Sequence, residues 1–225
     1  IISIIIIIFF IKFKKRKNEL PTKKQDVKLV GFDYEINNYN KPRVFDNFIS
    51  EKDCNELIQF VLNSNKLGDA KIGDSHFDKY VRNNRVAWFD KSDHNIMNKI
   101  NDKLEKLTKL KRNYFENFQF ANYRKNEYYR FHHDEGPDND YLSIESSPRI
   151  YTALIYLNSD FEGGHTQFKH LNLSIKPKTG RLLLFDNLNK DKNKLHILSE
   201  HRGQPLISGN KWIINIWIHS LPSIS

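Results

Sequence analysis

The chain opens on an apolar run. Residues 1–11, IISIIIIIFFI, carry Ser3 as their single polar side chain. Residues 18–30 are polar and read as a linker into a first strand, and Val44-Phe45 forms a short extended apolar pair. Ser50 stands ahead of Cys54, Leu57, Ile58 and Val61, which fall on one helical stripe, so a capped helix is predicted over about 51–64. Ile96, Ile100, Leu104 and Leu107 recur at intervals of four, four and three, which predicts a second, amphipathic helix starting near Ser92.

From about residue 116 the period changes from helical to alternating. Phe118 and Phe120 alternate with Gln119 and Ala121. The segments RIYTALIYL (149–157), RLLLF (181–185) and KWIINIWIH (211–219) are rich in β-branched, aromatic and other apolar residues, and Pro177-Lys178-Thr179-Gly180 makes a turn before the second of them. Two helices followed by six to eight strands give an α+β class, with the helices packed on a sheet or sandwich.

A length of 225 residues suits one domain of ordinary or large size with a sizeable core. Aromatic residues make up 13%, which a wholly disordered chain would not carry. The single cysteine, Cys54, excludes an internal disulfide and leaves the redox compartment open.

Charge first suggests a polyanionic partner, because 36 basic against 27 acidic side chains leave +9. Its location removes that reading. Residues 12–24 hold seven Lys or Arg against Glu19 alone, so +6 sits in thirteen residues and only +3 is spread over the other 212. No nucleic-acid partner is expected of the folded part. The basic cluster instead flanks the apolar run. Residues 1–24 read as the end of a membrane anchor, its upstream part lying before Ile1, followed by a basic stop. A signal-peptide remnant and a low-complexity Ile/Lys tail are the alternatives. The side of the membrane stays open. Residues 25–225 are expected to form the one functional domain.

Among nine histidines, His132-His133-Asp134 is the informative group. On a strand, residues two apart share a face, so His132 and Asp134 can approach one ion while His133 points away. The tripeptide alone is weak evidence, and support comes from downstream. His201 would complete a two-His, one-carboxylate triad that leaves open positions on Fe(II). Lys211, ten residues further on, offers a cation for a dicarboxylate. In the last strand Lys211, Ile213, Asn215 and Trp217 share one face, and the wholly apolar Trp212, Ile214, Ile216 and Ile218 share the other, which is expected to pack into the core.

Over about residues 116–219 the chain resembles the catalytic domain of prolyl 4-hydroxylase-type Fe(II)/2-oxoglutarate dioxygenases. The pieces stand in family order: Tyr123, His132-x-Asp134, Arg149-x-x-Thr152-x-x-x-Tyr156-Leu157-Asn158, Gly163-Gly164-x-Thr166-x-Phe168, Pro177-Lys178-x-Gly180, Leu183-x-Phe185, then His201-x-Gly203-x-Pro205 leading to Gly209-x-Lys211-Trp212. The resemblance implies a double-stranded β-helix (jelly-roll) core with N-terminal packing helices. It implies that His132, Asp134 and His201 hold Fe(II) and that Lys211 binds the distal carboxylate of 2-oxoglutarate, with Tyr123, Thr166 and Tyr156 adding hydrogen bonds. O₂ is the implied second cosubstrate, ascorbate the auxiliary reductant, and a peptide or protein the substrate. The same chemistry on a non-prolyl substrate, a basic binding module and a pseudoenzyme are the competing readings; the complete triad and Lys211 argue against the last.

The departures fall on the substrate side. Lys125-Asn126-Glu127 stands where the family often has Gly, His165 where it often has an acid, and Phe131 where Pro is common. His165 reads as an exposed turn residue, with a place on the site rim as the alternative. His170 lies in a polar loop, His196 competes with His201 as third ligand, and His219 is expected to face solvent or a neighbour. Arg149 reads equally as an ion-pair partner and a site residue. Asp138-Asn139-Asp140 is expected to form a mobile, lid-like loop.

Overall fold

A computed structural model describes residues 31–70, 80–135 and 147–222. The apolar run with its basic flank, the polar linker through residue 30, and Asp138–Asp140 lie outside the described residues. Among the described residues no helix is long and apolar enough to cross a membrane.

Fifteen strands and two α-helices make up the described chain, both helices in its N-terminal half. Strands β1 (Phe32–Asp33) and β2 (Arg43–Phe45) precede helix α1 (Glu51–Asn63), and β3 (Gly68–Asp69) and β4 (Arg85–Phe89) precede α2 (Asn95–Thr108). Then come β5 (Phe118–Tyr123), β6 (Tyr129–His132), β7 (Arg149–Tyr156), β8 (Glu162–Gly163), β9 (Thr166–Phe168) and β10 (Leu173–Ile175). The last five are β11 (Leu182–Asp186), β12 (Leu195–His196), β13 (His201–Gly203), β14 (Leu206–Ser208) and β15 (Lys211–His219).

A seven-stranded sheet, ordered β2-β11-β7-β15-β5-β4-β3, faces a four-stranded sheet, β10-β9-β13-β6. The two are the halves of a jelly roll, a double sheet whose layers face one another. More strands follow the helices than the six to eight expected. The additional ones are two or three residues long, too short for an alternating pattern to stand out.

The large sheet is buried on both faces by strict alternation. Phe118, Phe120, Ala153, Ile155, Leu182, Leu184, Ile214 and Ile216 join Leu57, Val61, Ile96, Ile100 and Leu104 of the helices in one core. Their neighbours Ala121, Tyr123, Leu154, Tyr156, Leu183, Phe185 and Ile213 meet Phe168 of the small sheet in a second. Each fully buried aliphatic or Phe side chain contributes roughly 1.5–3 kcal/mol. The second layer is where the predicted site residues project.

Helix α1 begins where the sequence placed it. Ser50 Oγ accepts from the Asp53 amide at 3.1 Å, and the Asp53 carboxylate accepts from the Ser50 amide at 3.4 Å, a reciprocal cap contributing about 1 kcal/mol. Helix α2 starts later than expected. Ser92 is held by Asp90 Oδ1, which accepts from its amide and its hydroxyl, and this turn delays the helix until His94 Nδ1 accepts from Ile96 N–H at 3.2 Å.

Gly180 locks the helical layer to the barrel. Its carbonyl accepts from the amides of Phe48 and Ile49, and its own amide donates to Tyr156 O. The residue has φ +73°, and an added Cβ would lie 2.1 Å from Ile49 O. Gly180→Ala is expected to cost at least ~2 kcal/mol through strain and displacement of this junction, measurable as a lowered midpoint in urea unfolding.

Candidate metal centre

Antiparallel pairing of β13 with β6 sets His201 directly opposite His132. Asp134 follows β6 by two residues. One ligand atom from each of His132, Asp134 and His201 lies within 4.8 Å of the others, and no other cluster of this kind occurs among the described residues. Asp134 and His201 are buried, and His132 is intermediate.

The orientation of each imidazole follows from its other nitrogen. His132 Nδ1 lies 2.8 Å from Arg130 O, and His201 Nδ1 lies 2.9 Å from Ser199 O. A carbonyl oxygen only accepts, so each Nδ1 is the donor there and each Nε2 is the nitrogen left to meet a metal. Those Nε2 atoms point at the carboxylate: His132 Nε2 is 3.3 Å from Asp134 Oδ1, and His201 Nε2 is 3.7 Å from Oδ2.

Electrostatics prepares the same set. Burial by itself would raise the Asp134 carboxyl. The imidazoles of His201 and His132 and the Thr152 hydroxyl outweigh it and hold the group well below the usual carboxylate range. Burial, reinforced by His132, pushes His201 down to about 4, so at neutral pH it is an unprotonated donor. Two imidazoles presenting Nε2 and one anionic carboxylate form a donor set that fits Fe(II).

Lys211 starts β15 inside the barrel with 1% exposure, and its ammonium donates to Gly164 O at 2.6 Å. It lies 5.1 Å from the Tyr123 ring centre and 5.7 Å from that of Tyr156. Among the described residues no carboxylate pairs with it, and burial pushes it down to about 7. Tyr156 donates to Thr166 Oγ1 at 2.7 Å. Lys211, Tyr123, Tyr156 and Thr166 therefore stand together, all buried, in the second layer.

Among the described residues the other histidines have partners outside the triad. His133 turns away from the triad, Nδ1 at 3.0 Å from Ser199 Oγ and its ring against Phe32. His165 sits 3.3 Å from Ser174 Oγ, and His170 2.7 Å from Glu200. His196 is fully buried outside the triad: it accepts from Leu198 N–H, reaches Glu35 O and stacks on Tyr39. Of the two positions expected for His219, it takes the one against a neighbour, its Nε2 meeting Glu116 Oε1 at 2.7 Å.

Arg149 is an ion-pair partner and also touches the site. Its Nε and Nη2 donate to the two Glu116 oxygens at 2.5 and 2.9 Å, while Nη1 donates to Asp134 O at 3.1 Å. Its guanidinium also covers the Trp217 ring at 4.3 Å. Residues with no distinct sequence signal complete this wall. Tyr129 stacks on His132 at 3.6 Å, the Arg82 guanidinium covers Tyr129 at 4.7 Å, and the half-exposed Trp88 meets Trp217 at 5.8 Å. The buried Trp217 Nε1 has no acceptor among the described residues.

A jelly roll carrying two imidazoles, one carboxylate and a buried cation defines a metal-dependent oxygenase of the 2-oxo-acid class. The model of the 2OG-Fe(II) oxygenase superfamily matches residues 118–219. A protein of Acanthamoeba polyphaga mimivirus named "Putative prolyl 4-hydroxylase" is 38% identical over 183 residues, covering 80% of this chain and 74% of that one. Prolyl 4-hydroxylase 2 of Arabidopsis thaliana is 30% identical over 206 residues, covering 80% and 68%. The viral collagen prolyl hydroxylase of Paramecium Bursaria Chlorella virus-1, in its 2OG complex, superposes with a TM-score of 0.67 at 29% identity, covering 81% of this chain and 97% of that one. The chain belongs to the prolyl 4-hydroxylase family of 2OG-Fe(II) oxygenases, and is a 2-oxoglutarate-dependent dioxygenase that works with Fe(II).

Proposed function

We propose that this chain hydroxylates prolyl residues of a peptide or protein, with His132, Asp134 and His201 as the iron ligands. The carrying observation is the convergence of three ligand atoms, two imidazole nitrogens and one carboxylate oxygen, within 4.8 Å. The prolyl assignment draws on relatives named as prolyl 4-hydroxylases at 38% and 30% identity. Residues 25–225 are read as the one catalytic unit.

Each residue has a task it can perform where it stands. The Nδ1–H bonds to Arg130 O and Ser199 O hold the two imidazoles with Nε2 forward. Lys211 receives the distal carboxylate of 2-oxoglutarate, and Tyr123, Tyr156 and Thr166 bound that carboxylate's pocket. Apolar residues of the second layer exclude water around them. Bound Fe(II) supplies the redox chemistry by which O₂ gives one oxygen to succinate, as 2-oxoglutarate loses CO₂, and the other to a substrate C–H bond. The wall of Tyr129, Trp217 and Trp88 supplies an aromatic surface for a proline-bearing chain.

Incubation with Fe(II), 2-oxoglutarate, ascorbate and proline-rich peptides is expected to yield succinate together with peptide heavier by one oxygen on proline. Succinate formed with every peptide left unoxidised, as read by mass spectrometry, would remove the prolyl assignment and leave the oxygenase class standing.

The eleven-residue apolar run and its +6 flank support membrane attachment through residues 1–24. Co-sedimentation with phosphatidylserine vesicles is expected for the full chain and not for a chain starting at residue 25. Equal sedimentation of both would assign the attachment elsewhere.

A further inference from the structure

A carboxylate has two oxygens, and here both can reach the same ion. Asp134 Oδ1 faces His132 Nε2 at 3.3 Å, and Oδ2 lies 3.7 Å from His201 Nε2. If both oxygens closed on the metal, Asp134 would take a coordination position that 2-oxoglutarate or O₂ needs. The second oxygen must be held by something else.

Thr152 on β7 does this. Its Oγ1 donates to Asp134 Oδ2 at 2.7 Å. A hydroxyl has one hydrogen, so its direction matters, and Asn187 sets it. Asn187 Nδ2 donates to Thr152 Oγ1 at 3.1 Å, closer than Asn187 Oδ1 at 3.4 Å. With that amide supplying a hydrogen, the threonine hydrogen is left for Asp134. Asn187 is itself fixed through its backbone, donating to Ile150 O at 3.0 Å and accepting from His196 N–H at 3.1 Å. Thr152 is 1% exposed and Asn187 fully buried, so water does not compete for these bonds.

We propose that Thr152, aimed by Asn187, is a positioning residue that occupies Asp134 Oδ2 and restricts this ligand to one oxygen, keeping coordination positions open for the cosubstrates. The inference rests on the reading of His132, Asp134 and His201 as iron ligands.

Thr152→Val keeps the side-chain shape and removes the donor, while Thr152→Ser keeps the donor. The anaerobic Fe(II) enzyme is titrated with 2-oxoglutarate, following the visible charge-transfer band of the 2-oxo-acid chelate. The Co(II) enzyme is compared by its d–d absorption. In Thr152→Val the half-saturating 2-oxoglutarate is expected to rise ~10–100-fold and the Co(II) spectrum to change shape. Thr152→Ser is expected to stay within a few-fold of wild type, as rescue of the hydroxyl requires. A folded Thr152→Val with wild-type half-saturation and wild-type Co(II) spectrum would overturn the proposal. Should the valine variant not fold, Asn187→Ala carries the same test, since it frees the hydroxyl while leaving it in place. His132→Ala separates the two levels: undiminished Co(II) binding there would remove the ligand reading itself.

Discussion

Asp134→Ala is expected to abolish turnover and to lower Fe(II) or Co(II) affinity by more than the ~10²-fold that loss of an outer partner typically costs. Asp134 is the only anion in the cluster, and its charge is the one that opposes a divalent ion. The native carboxyl stays ionised although buried, because His201, His132 and Thr152 all favour the charged form. Removing it leaves two imidazoles and no anion around an uncompensated cation. His132→Ala is expected to behave alike. His196→Ala is the internal control, because His196 is committed to Leu198 N–H and Glu35 O rather than to the triad, and its variant should keep wild-type metal affinity. Isothermal titration with Co(II) and succinate formation check both expectations. Wild-type affinity in Asp134→Ala would show that the carboxylate is not a ligand.

What could be read beforehand depends on how far each interaction travels along the chain. The alternation of β15 was legible because strand geometry is local: Ile214 and Ile216 go to the helices while Lys211 and Ile213 enter the barrel. The capping box of α1 is equally local, a matter of three residues. The pairing of Asp134 with His201 is not local, and there the ordered family motifs carried the reading. Thr152 and Asn187 show where such reading stops. They are 35 positions apart and meet only because β7 and β11 pair in the register that sets Thr152 opposite Phe185. The same holds for His219. Its neighbour could not be named from the strand alone, because Glu116, 103 residues earlier, is carried beside it by the bridge between Phe115 and Ile218.

The charge distribution tells a related story. A net +9 concealed that the folded part is nearly balanced. Inside it, the cations nearest the chemistry have opposite fates. Arg149 is neutralised by Glu116, whose carboxyl burial alone would raise but His219 and Arg149 bring down to about 2. Lys211 is left with a carbonyl. A paired arginine holds a wall in place, whereas an unpaired buried ammonium stores an unmet demand for an anion.

That demand sets the second large expectation. Lys211→Met is expected to raise the 2-oxoglutarate requirement on the order of 10²–10³-fold, since losing one partner of a buried charged pair costs roughly 3–5 kcal/mol. Metal affinity should stay near wild type, which separates this variant from Asp134→Ala. The pH dependence follows from burial, which holds Lys211 at about 7 against an ordinary value of 10.5. Binding a carboxylate requires the protonated form. Below pH 7 the proton is already present; above it the proton must be taken up, so apparent 2-oxoglutarate affinity should fall about tenfold per pH unit. The methionine variant should show no such slope. Stability of the cosubstrate-free protein should respond in the opposite sense. Between pH 7 and 10.5 the unfolded chain holds a proton on this lysine that the folded chain lacks, so this group makes folding more favourable as pH rises through that window. Below pH 7 the folded protein carries a buried, unpaired charge whose cost is then present in full. Lys211→Met removes that cost, so at pH 6 the variant should melt above wild type without cosubstrate and below it when 2-oxoglutarate is saturating. Thermal denaturation with and without the cosubstrate reads the crossing directly, and parallel melting curves for the two proteins would mean that Lys211 does not meet the carboxylate.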